Sequence, residues 1–469
     1  MKLLFAAAEM FPFAKSGGLA DIAHALPKAL ANKIEVTAVM PLYRFVDRER
    51  YGIEPTGEHF TFQIGGATRT AEIFSAIHDG VLHLFVYNEA LSDKEGIYGP
   101  PGGCYPDNDI RFALFCHAVA ELSKRLGVHI VHLNDWHTAL AAPLLKERGI
   151  AAKTVYTIHN LAYQGIFPAE SLAGIGLSPH HFTMKDMEFY GAINWMKGGI
   201  RHSDLVTTVS PSYALEIQRA EYGCGLDGFI CEHRHKLYGI LNGIDEAFYD
   251  PSSDPALPFH FSKKRLLNKK RCKKAYLEEI DINKYEFPLF VFIGRFVEQK
   301  GLDWIIEAID TIGEMPLFLS ILGSGDARYH ALLEEAAKRH ERIVVRFGYD
   351  ETLSHRMYAA ADFLLMPSLF EPCGLNQMIA MRYGTIPVVH RVGGLRDTVH
   401  AWHAKEPLCG KGIFFEESDA TAMVSAMKEA LDLYAKKPRF NRVRSFDMVC
   451  DFSIRKCAEH YLSLYRRLV

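Results

Sequence analysis

Five short stretches of the chain carry residue types whose spacing suits the handling of an anion and a polyol. KSGGLAD (residues 15–21) follows an apolar run and opens a helical pattern. Gly17 and Gly18 bare the backbone so that N–H groups can approach an anion, the following helix turns its positive end toward it, and Lys15 adds a full charge. A purely structural glycine turn explains the same residues. The stretch is neither a Walker A loop nor G-x-G-x-x-G. GRFVEQKG (294–301) sets Arg295 and Lys300 five residues apart, a fork and a point charge suited to a diphosphate, or two solvated surface cations. FEPCGLNQ (370–377) places Glu371 before a Pro-Cys-Gly turn and an apolar helix. A carboxylate there can bind sugar hydroxyls or simply cap the helix. NDWHTAL (134–140) and IHNLAYQG (158–165) put Asp135, His137, His159 and Asn160 at the ends of two apolar runs. They can converge on one ligand, although each histidine alone reads more readily as structural.

The elements that position these residues alternate short apolar runs with helical stretches, the pattern of parallel α/β architecture. In the first half the expected strands are 2–8, 35–40, 128–134, 153–159 and 205–210, with an inserted hairpin or meander near 58–64, 71–76 and 81–87. DPSSDPALP (250–258) reads as a hinge or linker. A second series follows at 288–294, 316–323, 342–348, 362–367 and 385–390, and the tail 452–469 is amphipathic at helical spacing. The expectation is two doubly wound domains, 1–245 and 246–450, facing a cleft, with 451–469 as a C-terminal helix. In such sheets ligands sit beyond the carboxyl ends of the strands.

Composition excludes several classes. In 469 residues, 53 Lys and Arg nearly balance 56 Asp and Glu, which gives no electrostatic case for nucleic acid or anionic membrane as partner. The basic run KKRLLNKKRCKK (263–274) lacks aromatic partners for base stacking and reads as a solvated helix face. Nine scattered cysteines without a C-x-x-C pair read as reduced thiols of a cytoplasmic protein. CEHRH (231–235) has no second ligand cluster and reads as polar surface, not a metal site. In YPDNDIRFALF (105–115) the Asp-x-Asp pattern opens a helix, so Asp107 and Asn108 read as caps. GSGD (323–326) is a further glycine-rich turn, and GGLADIAHA (17–25) echoes GGLRDTVHA (393–401). Glu9 cuts the N-terminal apolar run too early for a signal peptide, and no stretch has the ~18 apolar residues of a membrane span.

KSGGLAD, DWH, HNLAYQG, LNGID, GRFVEQKG, EPCGLNQ and VGGLRDTV occur in the order found in bacterial glycogen synthases and plant starch synthases. The chain resembles that family over nearly its whole length. The resemblance implies the GT-B architecture, two Rossmann-like domains with a C-terminal helix returning to the first. It implies that Lys15, Gly17 and Gly18 lie near the donor phosphates and transferred sugar, and that Arg295 and Lys300 bind the diphosphate. Glu371 and the backbone of Cys373, Gly374 and Leu375 would hold the glucosyl hydroxyls. His159 would lie beside the sugar, Asp135 on the acceptor side, Tyr349 against the nucleobase and Asn242 at the hinge side. Asn134 and Asn376 depart from the bacterial pattern, where histidine and threonine are usual, and bear on donor contacts.

The expected activity is retaining transfer of glucose from ADP-glucose to the non-reducing end of an α-1,4-glucan, with no metal or other cofactor at the site and glycogen as acceptor. UDP-glucose is the alternative donor. The rival readings are a non-catalytic binder of glucan or nucleotide sugar on the same scaffold and a different GT-B transferase, such as sucrose synthase. Retention of Lys15, Asp135, His159, Arg295, Lys300 and Glu371 argues against the binder, and KSGGLAD with EPCGLNQ argues against the other transferase.

Overall fold

The computed structural model describes residues 1–100, 103–283, 285–404 and 409–469. They form two compact units, Met1–Gly243 with Ile454–Val469, and Ile244–Ser453.

In the first unit the strands are β1 (Lys2–Ala6), β2 (Glu35–Pro41), β3 (Glu54–Ile64), β4 (Ala67–His78), β5 (Val81–Tyr87), β6 (Ile130–Asn134), β7 (Lys153–Ile158), β8 (Ile166–Pro168), β9 (Glu188–Phe189), β10 (Ala192–Asn194), β11 (Leu205–Thr208) and β12 (Leu237–Gly239). The main sheet runs β12-β11-β7-β6-β1-β2-β5-β4-β3, and β8-β10-β9 form a small separate sheet. β1 and β6 are covered on both faces and read as continuous apolar runs. The expected meander is β3, β4 and β5: β5 joins β2 in parallel, then β4 and β3 fold back antiparallel to the sheet edge. The last strand of a parallel series can be extended by tight hairpins without a crossover. The C-terminal helix Ile454–Leu468 packs on the helix Gly18–Ala31. Its Tyr465 hydroxyl reaches His132 Nδ1 of β6 at 2.6 Å.

The second unit holds β13 (Leu289–Ile293), β14 (Phe318–Gly323), β15 (Ile343–Phe347), β16 (Phe363–Met366), β17 (Ile386–His390), β18 (His400–Ala401) and β19 (Lys411–Phe415). Their order is β15-β14-β13-β16-β17-β19-β18, with parallel pairing throughout. Helices cover a core of Phe290, Leu319, Phe363, Leu365 and Val388.

Two expectations change here. The stretch 250–258 is no free linker. Asp254 is buried and accepts hydrogen bonds from His355 Nδ1 at 2.8 Å and from the Tyr383 hydroxyl. Burial would hold His355 down, but its hydrogen bonds to Asp254 and Glu351 outweigh it and push the imidazole up to about 9. The basic run is only partly a solvated face. Lys269 and Lys273, one helical turn apart on Leu267–Glu279, point into the unit. Lys269 Nζ donates to the Tyr358 and Ala359 carbonyls and to Thr385 Oγ1 at 2.9–3.1 Å. Lys273 Nζ pairs with Asp362 Oδ2 at 2.6 Å and donates to the Phe287 carbonyl at 2.7 Å. Lys263, Lys264, Arg265, Lys270, Arg271 and Lys274 remain exposed, as expected.

Breaking a buried ion pair from one side leaves the other charge uncompensated. Asp362→Asn is therefore expected to destabilise the protein by about 3 kcal/mol in chemical denaturation. A loss below about 1 kcal/mol would contradict this account of the pair.

Candidate functional site

Both sheets have a point where the strand order reverses, and the candidate residues collect there in two separate clusters. In the first unit that point lies between β1 and β6, and in the second between β13 and β16. The connections leave opposite faces at such a point, and the carboxyl ends are left open for a ligand.

After β1 the chain forms a loop ordered by Glu9. The Ser16 N–H donates to this buried carboxylate, and Ser16 Oγ donates to it at 3.0 Å. Burial, only partly offset by those hydrogen bonds, pushes the Glu9 carboxyl up to about 7. Lys15 Nζ pairs with Asp21 Oδ1 of the following helix at 2.8 Å. Gly17 precedes that helix with an extended backbone, and a Cβ placed there would meet nothing within 4 Å. Neither packing nor backbone conformation demands glycine, so the bare surface is left for whatever approaches the helix N-terminus. The echoing pair at 393–394 differs: a Cβ on Gly394 would lie 2.3 Å from the Cys373 carbonyl oxygen, so that glycine is a packing requirement.

At the end of β6, Asn134 donates from Nδ2 to the Ala6 carbonyl at 2.9 Å, and its Oδ1 lies 2.9 Å from His159 Nε2. The amide's donor is committed to β1, so His159 must donate from Nε2, which leaves Nδ1 as an acceptor. Burial holds the imidazole down to about 3, hence neutral. Asp135 sits at φ 56°, a conformation costly for a side-chain-bearing residue. It accepts the His159 N–H at 2.7 Å and the Asn160 N–H at 3.4 Å. Burial pushes its carboxyl up to about 7 against those hydrogen bonds, with Glu9 adding repulsion. Asp135, His159 and Asn160 thus come together. His137 does not: it is buried, stacked on Tyr98 at 4.5 Å and edge-on to Phe112 at 4.9 Å. Asn242, later in this unit, is buried, with its N–H bound to the Val209 carbonyl and, among the described residues, no hydrogen-bond partner for its Oδ1.

In the second unit, Lys300 Nζ pairs with Glu371 Oε2 at 2.6 Å, and Ser368 Oγ donates to the same oxygen at 3.0 Å. Gln299 bridges the two loops through the Leu369 N–H and the Phe370 carbonyl. Gly301 has φ 68°, and a Cβ would fall 1.8 Å from the Pro367 carbonyl oxygen, so the pair forms only because residue 301 is glycine. Arg295 is exposed on the same loop. Past Glu371 the chain turns through Cys373 and Gly374, the latter at φ 72°. Gln377 Nε2 clamps this turn by donating to both their carbonyls at 3.0 Å. Leu375 precedes the short helix that begins at Asn376, whose side chain donates to the Ile293 carbonyl at the end of β13 at 2.7 Å. Tyr349 is 67% exposed on the loop after β15, and its hydroxyl donates to Glu351 in the first turn of the next helix.

Sequence reasoning missed the holders of these groups: Asp21, Ser368, Gln377 and Glu351. It singled out Asn134 but not the part the structure gives it, a buried support for His159 and β1. Asn376 similarly ties two loops together. Asp107 and Asn108 start their helix but do not cap it through their side chains. Asp107 pairs with Lys94 at 3.0 Å and Asn108 donates to the Tyr98 carbonyl. In GSGD, Gly323 and Gly325 let that turn press on Gly294 and Phe296, and Asp326 caps a helix. Among the described residues, none of the His, Cys, Asp and Glu groups close enough to share a metal ion includes a member of these two clusters or of CEHRH.

The family of starch synthase catalytic domains matches residues 2–232, and the glycosyl transferases group 1 family matches 287–432. The chain is 39% identical to a glycogen synthase of Geotalea daltonii, covering 99% of this chain and 98% of the relative. It is 40% identical to a glycogen synthase of Aquifex aeolicus, covering 100% and 99%. The solved catalytic domain of starch synthase IV from Arabidopsis thaliana, bound to ADP and acarbose, superimposes with a TM-score of 0.93 at 33% identity over 99% of both chains. A sucrose-phosphate synthase from Thermosynechococcus elongatus shares the fold at a TM-score of 0.65 and 17% identity.

Asp135 gives a pH test. Its carboxyl holds a proton more tightly folded than unfolded, so the stability this group contributes is lost as pH rises from about 4 to about 7. Asp135→Asn keeps an acceptor for both N–H groups and should remove that contribution, so that the native protein loses stability relative to the variant as pH rises across this range. Denaturation midpoints across this range measure it, and an unchanged slope would contradict the buried-carboxyl assignment.

Proposed function

The chain belongs to the family of glycogen and starch synthases, retaining transferases of the GT-B fold, and on that premise we propose how its residues carry out glucosyl transfer. It acts as a glycogen synthase, moving glucose from ADP-glucose to the non-reducing end of an α-1,4-glucan with retention. The reading rests on one juxtaposition, the Lys300–Glu371 pair at the switch point of the second sheet. A nucleotide sugar carries an anion next to a polyol, and a cation beside a carboxylate answers both. Lys300 turns to the diphosphate with Arg295, and Glu371, freed of its partner, accepts from the glucosyl hydroxyls together with the Cys373–Gly374–Leu375 turn. Tyr349 offers an exposed ring to the base. Asn376 acts by holding its loop.

In the step itself, the bond from the anomeric carbon to the β-phosphate oxygen breaks and the bond to the acceptor 4-oxygen forms on the same face. The acceptor proton passes to the leaving phosphate, and no covalent enzyme intermediate forms. Negative charge grows on the diphosphate, where Arg295, Lys300, Lys15 and the bare backbone at Gly17 and Gly18 stabilise it with no metal or other cofactor required. His159, neutral and presenting Nδ1, accepts from a sugar hydroxyl. Asp135 orders the acceptor side, and the unsatisfied Asn242 Oδ1 accepts from substrate. No helix among the described residues is long and apolar enough to cross a membrane. The nine free cysteines fit a reducing cytoplasm.

Nucleotide release from ADP-glucose or UDP-glucose, with and without glycogen, tests the reading. Glycogen-dependent ADP release is expected. UDP release alone would overturn the donor, and no release beside tight glycogen binding would overturn the enzyme. Lys300→Ala should lower kcat/KM by about 10²–10³ with folding intact, the loss typical of a transition-state anion donor. Unchanged turnover would remove Lys300 from the diphosphate.

A further inference from the structure

A second cluster of chemically capable side chains stands apart from these residues. His181 lies in the turn Pro179–His181, Asp186 in the loop after it, His202 at the end of the helix Trp195–His202, and Glu147 at the end of the helix Ala141–Glu147. His181 Nδ1 is 2.7 Å from Asp186 Oδ2, and His202 Nε2 is 2.8 and 3.0 Å from the two Asp186 oxygens. On its far side His181 Nε2 meets Glu147 Oε1 at 3.0 Å. The His181 and Asp186 side chains are nearly buried, and His202 is mostly so.

We propose that His181 Nδ1, His202 Nε2 and Asp186 bind one zinc-class divalent ion, with Glu147 orienting His181 from behind. Glu147 can only accept, so His181 donates to it from Nε2, and Nδ1 then faces a carboxylate oxygen with a lone pair. A proton on Nδ1 closes that contact, and a metal ion shared by the two atoms can take the proton's place. A protonated His181 beside a neutral His202 sets one positive charge against two carboxylates, whereas one divalent ion leaves the set of two neutral imidazoles and two carboxylates balanced, and the three ligand atoms already lie within 4.8 Å of one another. A ring N–H given to a carboxylate behind the ligand is the arrangement that fixes a metal-binding histidine. Two nitrogens and one oxygen suit zinc, which needs the three atoms to open to about 3.3 Å apart for bonds near 2.1 Å. Lys197, a cation that interacts with Asp186, is occupied with the Met184 and Glu188 carbonyls.

Two other groups are poorer candidates. Asp79, with His24 and His78, already pairs with Lys28 at 2.9 Å. Glu147, with His180 and His181, is more exposed than Asp186, and only one of its imidazoles is buried. An ion at the preferred site would clip the turn that carries His181 and Asp186 to the helix Trp195–His202. That helix is tightly seated: a Cβ on Gly199 would lie 2.9 Å from Ala139 and 3.0 Å from Tyr156.

The test is titration of chelator-dialysed full-length protein with Zn²⁺ by calorimetry and with Co²⁺ by absorbance. We expect one equivalent bound at micromolar or tighter dissociation constant, a rise in Tm on binding, and tetrahedral Co²⁺ bands with no thiolate charge-transfer band. His202→Ala and Asp186→Asn should each weaken binding at least 30-fold, and Glu147→Gln about tenfold. Glu147→Gln carries the test should either of the others fail to fold. No saturable binding, a thiolate band, or affinity unchanged in the variants would overturn the proposal.

Discussion

At a switch point of a parallel sheet, two neighbouring strands send their chains to opposite faces, and the open carboxyl ends must be furnished by loops with almost no room of their own. That constraint governs both units. In the first, the β1 and β6 ends are joined by Asn134, which serves Ala6 and His159 with one amide. In the second, the β13 and β16 loops are joined by Gln299 and by Lys300 with Glu371. Glycine appears where one backbone crosses another, as at Gly301 and Gly394, and where nothing crosses at all, as at Gly17. The second kind is the informative one for function.

Two of the candidate cations are held by carboxylates: Lys15 by Asp21, Lys300 by Glu371. Such pairing keeps long, flexible side chains in place and limits the cost of burying them. It also means an anionic substrate competes with a resident carboxylate. A substrate that supplies hydroxyls to the displaced carboxylate recovers part of what the exchange costs, which favours a sugar phosphate over a simple anion.

Much of this was legible in the sequence because parallel strands buried on both faces are short apolar runs, and their loops carry the unusual residues. Strand positions, the meander and the amphipathic C-terminal helix follow from those patterns, whereas the return of that helix to the first unit is implied only by the family resemblance. The pairing of Lys300 with Glu371, 71 positions apart, does not, since it depends on strand order. Asn134 looked like a departure in a motif, and only the placement of Ala6 beside it explains it as a support. The buried lysines 269 and 273 were hidden in a run whose composition points to solvent, because the two that face inward, one helical turn apart, are interleaved with basic residues that do not. The stretch 250–258 misled for a similar reason: Pro, Ser and Asp mark a loop, but Asp254 binds partners about 100 and 130 positions away.

The central claim is that Lys300 and Glu371 act as one device, the carboxylate holding the cation until the donor takes both. A double-mutant cycle on kcat/KM with Lys300→Ala, Glu371→Gln and the pair measures that directly. Residues acting as a unit give losses that do not add. The double variant is expected to be at least tenfold more active than the product of the two single losses. Simple additivity would contradict it and leave the observed ion pair without a part in the reaction.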